Sequence, residues 1–188
     1  MKVLILNGSP RKNGVTYRVL KAIEGGVSPA NTVDWVDVYD LSIKPCIGCL
    51  KCRPDKECIL KYDDAHRIGS LIRAADRLII GSPTYWGNMT GHLKILFDRN
   101  VPTFEFLDGM NIKKVQKGKK AVIVVTSAAP FPINMLGSQS RGAARSLKTI
   151  LQAGGYGIKA VLNIPGTASF EKRGAQLLDR ATKLGERI

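Results

Sequence analysis

Apolar and polar positions alternate in blocks along the chain. Lys2 to Asn7 holds a short apolar run, Val3-Leu4-Ile5-Leu6, and reads as a buried strand. Thr16 to Glu24 has helical spacing and is closed by Gly25-Gly26. Thr32 to Tyr39 is β-rich, with Val33, Trp35 and Val38 apolar. Asp40 to Leu60 follows neither period. Asp63 or Asp64 caps a helix to about Ala75, whose Ala65, Ile68, Leu71, Ile72 and Ala75 share one face. Arg77 to Gly81 is a third strand, Ser82 to Met89 a loop, and Thr90 to Arg99 a helix with Leu93, Leu96 and Phe97 inward. Ala121 to Thr126 is the most β-like segment, followed by a long loop from Ser127 to Gly142. Ala143 to Ala153 is helical and ends at Gly154-Gly155, Tyr156 to Ile164 is a fifth strand, and Ser169 caps a last helix to about Gly185.

Strict alternation of short strands and helices predicts an α/β fold, with a doubly wound parallel sheet and helices on both faces. The expected organisation is one domain over residues 1–188, with a cysteine-bearing loop at about 40–60. In such a sheet, ligands bind beyond the carboxyl ends of the strands. The loops there are Gly8–Val15, Ser82–Met89 and Ser127–Gly142.

Composition changes this in two respects. With 44% hydrophobic and 23% charged residues, the chain is an ordinary globular sequence, and no stretch approaches the roughly 20 apolar residues of a membrane span. The apolar run at Val3–Leu6 is too short for a signal peptide, so a cytoplasmic location away from the membrane is expected. The balance of 29 basic against 15 acidic residues gives a net charge of +14, which attracts anions. The one dense run, Lys113 to Lys120, reads as a solvated loop. No helix-turn-helix, zinc finger or aromatic RNA platform accompanies the charge, so a nucleic-acid partner is not expected.

The first loop reads as a phosphate cradle. Gly8-Ser9-Pro10-Arg11-Lys12-Asn13-Gly14-Val15-Thr16 runs from a strand into a helix whose N-terminus binds anions. Ser9 and Thr16 add hydroxyls, Arg11 a planar fork, and Gly8 and Gly14 allow close backbone approach. Neither the dinucleotide G-x-G-x-x-G nor the triphosphate G-x-x-x-x-G-K-[ST] pattern is present, leaving a cradle for one terminal phosphate or an ordinary polar turn. The second loop, Ser82-Pro83-Thr84-Tyr85-Trp86-Gly87-Asn88-Met89, suits a flavin ring. Tyr85, Trp86 and Met89 can give flat apolar contact, and Gly87, Asn88 and Met89 can offer N–H groups. The alternative is that Tyr85 and Trp86 are core aromatics.

Gly8-Ser9-Pro10-Arg11 with Thr16, Ser82 to Gly91, and Phe97-Asp98-Arg99 together resemble the flavodoxin-like NAD(P)H-dependent FMN and quinone reductases. The resemblance implies a sheet of order 2-1-3-4-5 and FMN with its phosphate on Ser9, Arg11, Asn13 and Thr16, beside Gly14 and Val15. It places the ring against Pro83, Thr84, Tyr85, Trp86, Gly87, Asn88 and Met89, with further contacts expected at Thr126, Ser127 and Ala128. It also implies a homodimer or homotetramer and NAD(P)H as an electron donor.

All four cysteines fall in Cys46-x2-Cys49-x2-Cys52-x5-Cys58. Consecutive C-x2-C steps let one loop wrap an iron–sulfur cube. Gly48 permits a turn, Pro45 and Pro54 bracket the loop, and Lys44, Lys51, Arg53 and Lys56 surround it with positive charge. Zinc, free thiols and a redox disulfide remain open on spacing alone. The pattern resembles the cysteine motif of the iron–sulfur flavoproteins, a branch of the same group. That resemblance implies a 4Fe–4S cluster relaying single electrons to FMN. A departure at Lys61-Tyr62-Asp63-Asp64-Ala65 is expected to shift the helix after the cluster loop.

His66 and His92 have no ligand-spaced partner and read as surface or capping residues, and Asp98 and Arg99 as structural ion-pairing groups. The chain therefore reads as an FMN-dependent oxidoreductase passing electrons to a small acceptor such as a quinone, dioxygen or peroxide, with an acidic ferredoxin as a possible protein donor. The alternatives are a cluster-free NAD(P)H-dependent FMN or quinone reductase and a non-catalytic anion- or nucleic-acid-binding protein.

Overall fold

The computed structural model describes residues 1–53, 57–136 and 139–188. Its main sheet is parallel and five-stranded: β1 (Lys2–Asn7), β2 (Thr32–Asp37), β3 (Arg77–Pro83), β6 (Lys120–Thr126) and β7 (Gly157–Ile164), in the order β2-β1-β3-β6-β7. A hairpin, β4 (Glu105–Asp108) and β5 (Asn111–Lys114), stands apart from it. Counting only strands of the main sheet, this is the expected 2-1-3-4-5 arrangement.

The central strands are apolar throughout because both faces are covered. Side chains alternate between the faces, so Leu4, Leu6, Leu78, Ile80, Ile123 and Val125 enter one core, and Val3, Ile5, Ile79, Val122 and Val124 the other. The first core is closed by α2 (Asp64–Ala74), α3 (Gly91–Arg99) and α6 (Gln139–Gly154), through Ile68, Ile72, Leu93, Leu96, Leu147 and Leu151. The second is closed by α1 (Val15–Gly26) and α7 (Phe170–Gly185). Among the described residues, no helix is long and apolar enough to cross a membrane.

Several elements differ from the sequence reading. Gly25 and Gly26 lie inside α1 rather than after it. A Cβ at Gly26 would stand 2.0 Å from the Thr182 carbonyl, so that glycine serves the close approach of α1 and α7. The chain from 105 to 114, read without structure, forms the hairpin, turned by Gly109 at φ +61°. The basic run is correspondingly no plain solvated loop. Lys113 and Lys114 lie in β5, Gln116 is buried and donates to the Thr103 carbonyl at 2.6 Å, and Lys119 donates to the Arg73 carbonyl at the end of α2 at 2.5 Å. The loop expected from 127 to 142 contains α5 (Ile133–Leu136) and the first turn of α6, which begins before Ala143; residues 137–138 lie outside the described residues. Between Phe104 and Asn100 a short helix, α4 (Val101–Phe104), extends α3. The helix after the cysteine loop starts at Asp64 with Asp63 as its cap, as the sequence allows, and His66 is the residue that completes the cap: its Nδ1 accepts from the Asp63 amide at 3.1 Å.

Candidate functional site

The first loop leaves β1 at the sheet centre and is templated by its neighbours. The Gly8 amide donates to Gly81 of β3 at 2.8 Å, and Thr90 donates its hydroxyl hydrogen to the Gly8 carbonyl at 2.9 Å. Asn7 is fully buried; its side chain donates to Asp37 at 2.7 Å and accepts from the Ser9 amide at 3.1 Å. The Ser9 hydroxyl accepts from the Arg11 amide at 3.2 Å, and the Gly14 amide closes a turn on the Arg11 carbonyl at 3.1 Å. Gly14 is the N-cap of α1 and brings no side chain to it, and the first turn carries no acidic residue. The opening amides of α1 therefore face outward with the positive end of the helix dipole behind them.

These amides open on a cavity of about 450 Å³ at the carboxyl edge of the sheet. Ser9, Arg11, Asn13, Gly14, Val15 and Thr16 line it from the first loop, Pro83, Thr84 and Tyr85 from the end of β3, and Thr126 and Ala128 from the end of β6. Thr84 contributes a buried hydroxyl that meets no hydrogen-bond partner among the described residues. A fourth wall was missed in the sequence: Thr167, Ala168, Phe170 and Glu171, with Arg18 of α1 opposite. Arg18 is paired with Glu171 and lies 4.8 Å over the Phe170 ring. The signal for this wall was present, because these residues follow the fifth strand of the sheet at its carboxyl end, where the same ligand rule applies.

Five candidates do not line the cavity. Ser127 is buried, its hydroxyl donates to the Ala129 carbonyl at 3.3 Å, and its carbonyl accepts from Thr167 at 3.1 Å, so it ties the β6 and β7 loops together. Met89 was expected to offer its side chain to a ring; it is 3% exposed and belongs to the core beneath the loop. Its amide is taken by the Asn88 side chain at 2.8 Å, and the Asn88 amide by the Tyr85 carbonyl at 3.0 Å. Of the three amides considered as donors, two are thus spent within the turn.

Trp86 and Gly87 form the tip of that turn. Tyr85 and Asn88 exchange both backbone hydrogen bonds across it, and its central residues have φ of +51° and +75°. Trp86 is 103% exposed and Tyr85 45% exposed, which overturns their reading as core aromatics. The tip is backed by α6: a Cβ at Gly142 would stand 1.9 Å from the Gly87 carbonyl.

Among the described residues, the cysteine loop forms no helix or strand. Cys46 and Cys49 are exposed, Cys52 and Cys58 half-buried. Gly48 at φ +66° and Leu50 at φ +56° bend the chain on either side of Cys49. The Cys46 sulfur accepts from the Gly48 amide at 3.4 Å. The Cys52 thiol is pushed up from its ordinary value by burial first, then by the neighbouring Cys58 and Cys46. Among the described residues no three metal-ligating side chains stand close enough together to hold an ion. Pro54 and Lys56, singled out in the sequence, lie outside the described residues. Asp98 and Arg99 do not pair with each other; Asp98 binds Lys94 at 2.5 Å and Arg99 binds Asp63 at 2.7 Å. His92 stacks on Tyr39 with ring centroids 4.1 Å apart.

The model of a protein family described as NADPH-dependent FMN reductase matches residues 1–158. An iron–sulfur flavoprotein of Clostridioides difficile strain 630 is 31% identical over 159 residues, covering 83% of this chain and 64% of the relative. An iron–sulfur flavoprotein of Methanocaldococcus jannaschii is 35% identical over 103 residues, 54% of this chain and 53% of the relative. The chain therefore spans between half and two thirds of the length of these two relatives. A crystal structure from Streptococcus mutans UA159 superposes with a TM-score of 0.83 at 22% identity, over 100% of both chains, and shows the shared fold.

Proposed function

The chain belongs to the NADPH-dependent FMN reductase family, and from that premise we propose that it is an FMN-dependent oxidoreductase whose cysteine loop carries an iron–sulfur cluster. The observation that carries the first part is the uncapped start of α1, opening with Ser9, Arg11 and Thr16 on a 450 Å³ cavity. An anion with several oxygens fits that donor set. The orphaned Thr84 hydroxyl further along the same cavity fits a polar group of the ligand.

FMN, when bound, supplies hydride acceptance from a nicotinamide and electron release to a second substrate. The protein's residues do the rest. Ser9, Arg11, Asn13 and Thr16 hold the phosphate, with the amides of Gly14 and Val15 beside them. Pro83, Thr84 and Tyr85 wall one side of the cavity, Thr126 and Ala128 its floor. Trp86, projecting from the turn tip, shields one approach and leaves the other to the nicotinamide or the acceptor. The acceptor is a small oxidant of the quinone, dioxygen or peroxide class.

Four thiols in one loop match the donor chemistry of a 4Fe–4S cluster, and Cys46, Cys49, Cys52 and Cys58 would hold it. With the net charge of +14, an acidic ferredoxin suits the protein as a one-electron donor. The spread of the thiols favours a second reading, a cluster-free NAD(P)H-dependent quinone reductase.

Anaerobic purification with an absorbance spectrum, flavin analysis and iron and sulfide assays separates these readings. Flavin with about four iron per chain supports the cluster-bearing protein, to be followed by reduction with ferredoxin. Flavin without iron after reconstitution leaves the second reading, tested by NADPH and NADH oxidation with quinones. A colourless protein that takes up no added FMN overturns both.

A further inference from the structure

The two ends of the cysteine loop meet at one buried side chain. Arg99, the last residue of α3, has a side chain with 0% exposure. One terminal nitrogen of its guanidinium donates to the Lys44 carbonyl at 2.6 Å and to Asp63 Oδ2 at 2.7 Å. The other donates to Asp63 Oδ1 at 3.1 Å, and Nε donates to the Cys58 sulfur at 3.3 Å. Lys44 stands two residues before the first cysteine and Asp63 five residues after the last. Asp63 closes the circuit by accepting from the Lys44 amide at 3.2 Å and the Ala65 amide at 3.1 Å. His66, stacked on Tyr62, meets the Cys58 carbonyl through Nε2 at 3.0 Å.

A buried guanidinium is costly unless its charge is matched and its N–H groups find acceptors. Asp63 matches the charge, and three donors reach oxygen. The fourth is aimed at a sulfur, an acceptor that a buried arginine has no reason to meet unless the sulfur is itself to be fixed. We propose that Arg99 is the positioning residue of the cysteine loop, clamping its two ends together and fixing Cys58, and that its N–H···S bond raises the reduction potential of a cluster held there. The potential rests on the proposed cluster; the clamp does not. An N–H donor to a ligand sulfur stabilises the more negative, reduced cluster, so its loss lowers the potential.

Arg99→Lys keeps a positive charge against Asp63 and loses both the fork and the Nε donor. In the full-length protein freed of metal by a chelator, amide hydrogen exchange is read at Lys44 and Ala65. The clamp predicts exchange about tenfold faster there in Arg99→Lys, with β1, β3 and β6 unchanged. Unchanged exchange at both amides overturns the clamp. If Arg99→Lys does not fold, Arg99→Gln tests the same clamp by the same two amides, leaving their acceptor Asp63 in place. In protein loaded anaerobically with iron and sulfide, a redox titration followed by electron paramagnetic resonance is expected to give Arg99→Lys a more negative potential than the parent. Equal potentials overturn the tuning. A parent protein that takes up no iron overturns the cluster reading and the tuning together, while the exchange measurement still decides the clamp.

Discussion

The hydroxyls of Thr16 and Thr126 stand 2.8 Å apart, both residues almost completely buried, and join the first turn of α1 to the end of β6 across 110 positions of sequence. The Thr126 carbonyl also accepts from the Thr84 amide at 2.8 Å. One residue at the end of β6 therefore touches the first and second ligand loops together. Replacing either threonine by valine keeps the shape and leaves the partner hydroxyl unsatisfied, at a cost of about 1–3 kcal/mol. The double valine variant is expected to cost less than the sum of the two, with a coupling of about 0.5–3 kcal/mol. Urea unfolding of the flavin-free proteins measures all three, and strict additivity would show the two hydroxyls to be independent.

Arg11 should act on the ligand rather than on the fold. Its side chain is exposed, while its backbone makes the loop bonds to Ser9 and Gly14. Arg11→Ala is expected to change stability by no more than about 0.5 kcal/mol. Losing a charge-assisted bond of about 1.5–3 kcal/mol weakens FMN binding roughly 10- to 100-fold. Flavin fluorescence titration reads the affinity, and riboflavin, which lacks the phosphate, should bind parent and variant alike.

The fold and the cradle were legible for the same reason. Val3–Leu6, Leu78–Ile80 and Ala121–Val125 are apolar on both faces, a pattern that a doubly covered parallel strand imposes, and the loops after them must then share an edge. The hairpin was not legible because its Asp108-Gly109 turn sits between strands that bury little, and the lysines of β5 masked its period. Met89 and Trp86 were read as equals, although only the chain's path at the positive-φ turn decides that Met89 points into the core and Trp86 out of it. The clamp on Cys58 was invisible, since Lys44, Asp63 and Arg99 share no spacing and meet only when α2 and α3 pack. Phe97-Asp98-Arg99 was noticed as a motif, but its arginine's partner lies 36 residues away.

The turn tip after β3 leaves no room at its back. A methyl group at Gly142 would stand 1.9 Å from the backbone oxygen of Gly87, and backbone cannot rotate away as a side chain can. Gly142→Ala is therefore expected to displace the Trp86–Gly87 turn, at a cost of about 1–3 kcal/mol. Flavin affinity should fall although no cradle residue has changed. An unaltered affinity and unfolding midpoint would mean that α6 gives way instead.

Trp86 holds a backbone conformation that suits glycine better than an indole, and its side chain is 103% exposed. The indole thus contributes little packing to the isolated chain. At positive φ a glycine is favoured over alanine by about 1 kcal/mol. Trp86→Gly is expected to be more stable than Trp86→Ala by that amount in urea, the reverse of the order at an ordinary site. Both variants should turn over an acceptor more slowly while keeping the parent's FMN affinity, since the indole stands outside the cavity. Equal loss of activity in the two variants despite their different stabilities would assign the indole to function.

Asp63 should make the chain acid-sensitive in a specific window. Burial alone would raise its carboxyl, but the Arg99 guanidinium and the amides of Lys44 and Ala65 outweigh it and hold the group below the usual carboxylate range. A carboxyl with a lower value folded than unfolded stabilises the fold fully above the unfolded value of about 3.9. That contribution is lost as the pH falls from there through the folded value, because the unfolded chain takes up its proton first. Asp64, lowered by the Ser42 amide and Arg67, acts in the same direction at the next position. Asp63→Asn is expected to unfold more easily near neutral pH, by about 3 kcal/mol, because Arg99 is left buried without its counter-charge. The same variant should lose less further stability than the parent between about pH 5 and pH 3, where Asp63 of the unfolded parent chain takes up its proton while the folded one stays ionised. Urea midpoints across that range measure both effects, and parallel acid profiles for the two proteins would place the acid-sensitive group elsewhere.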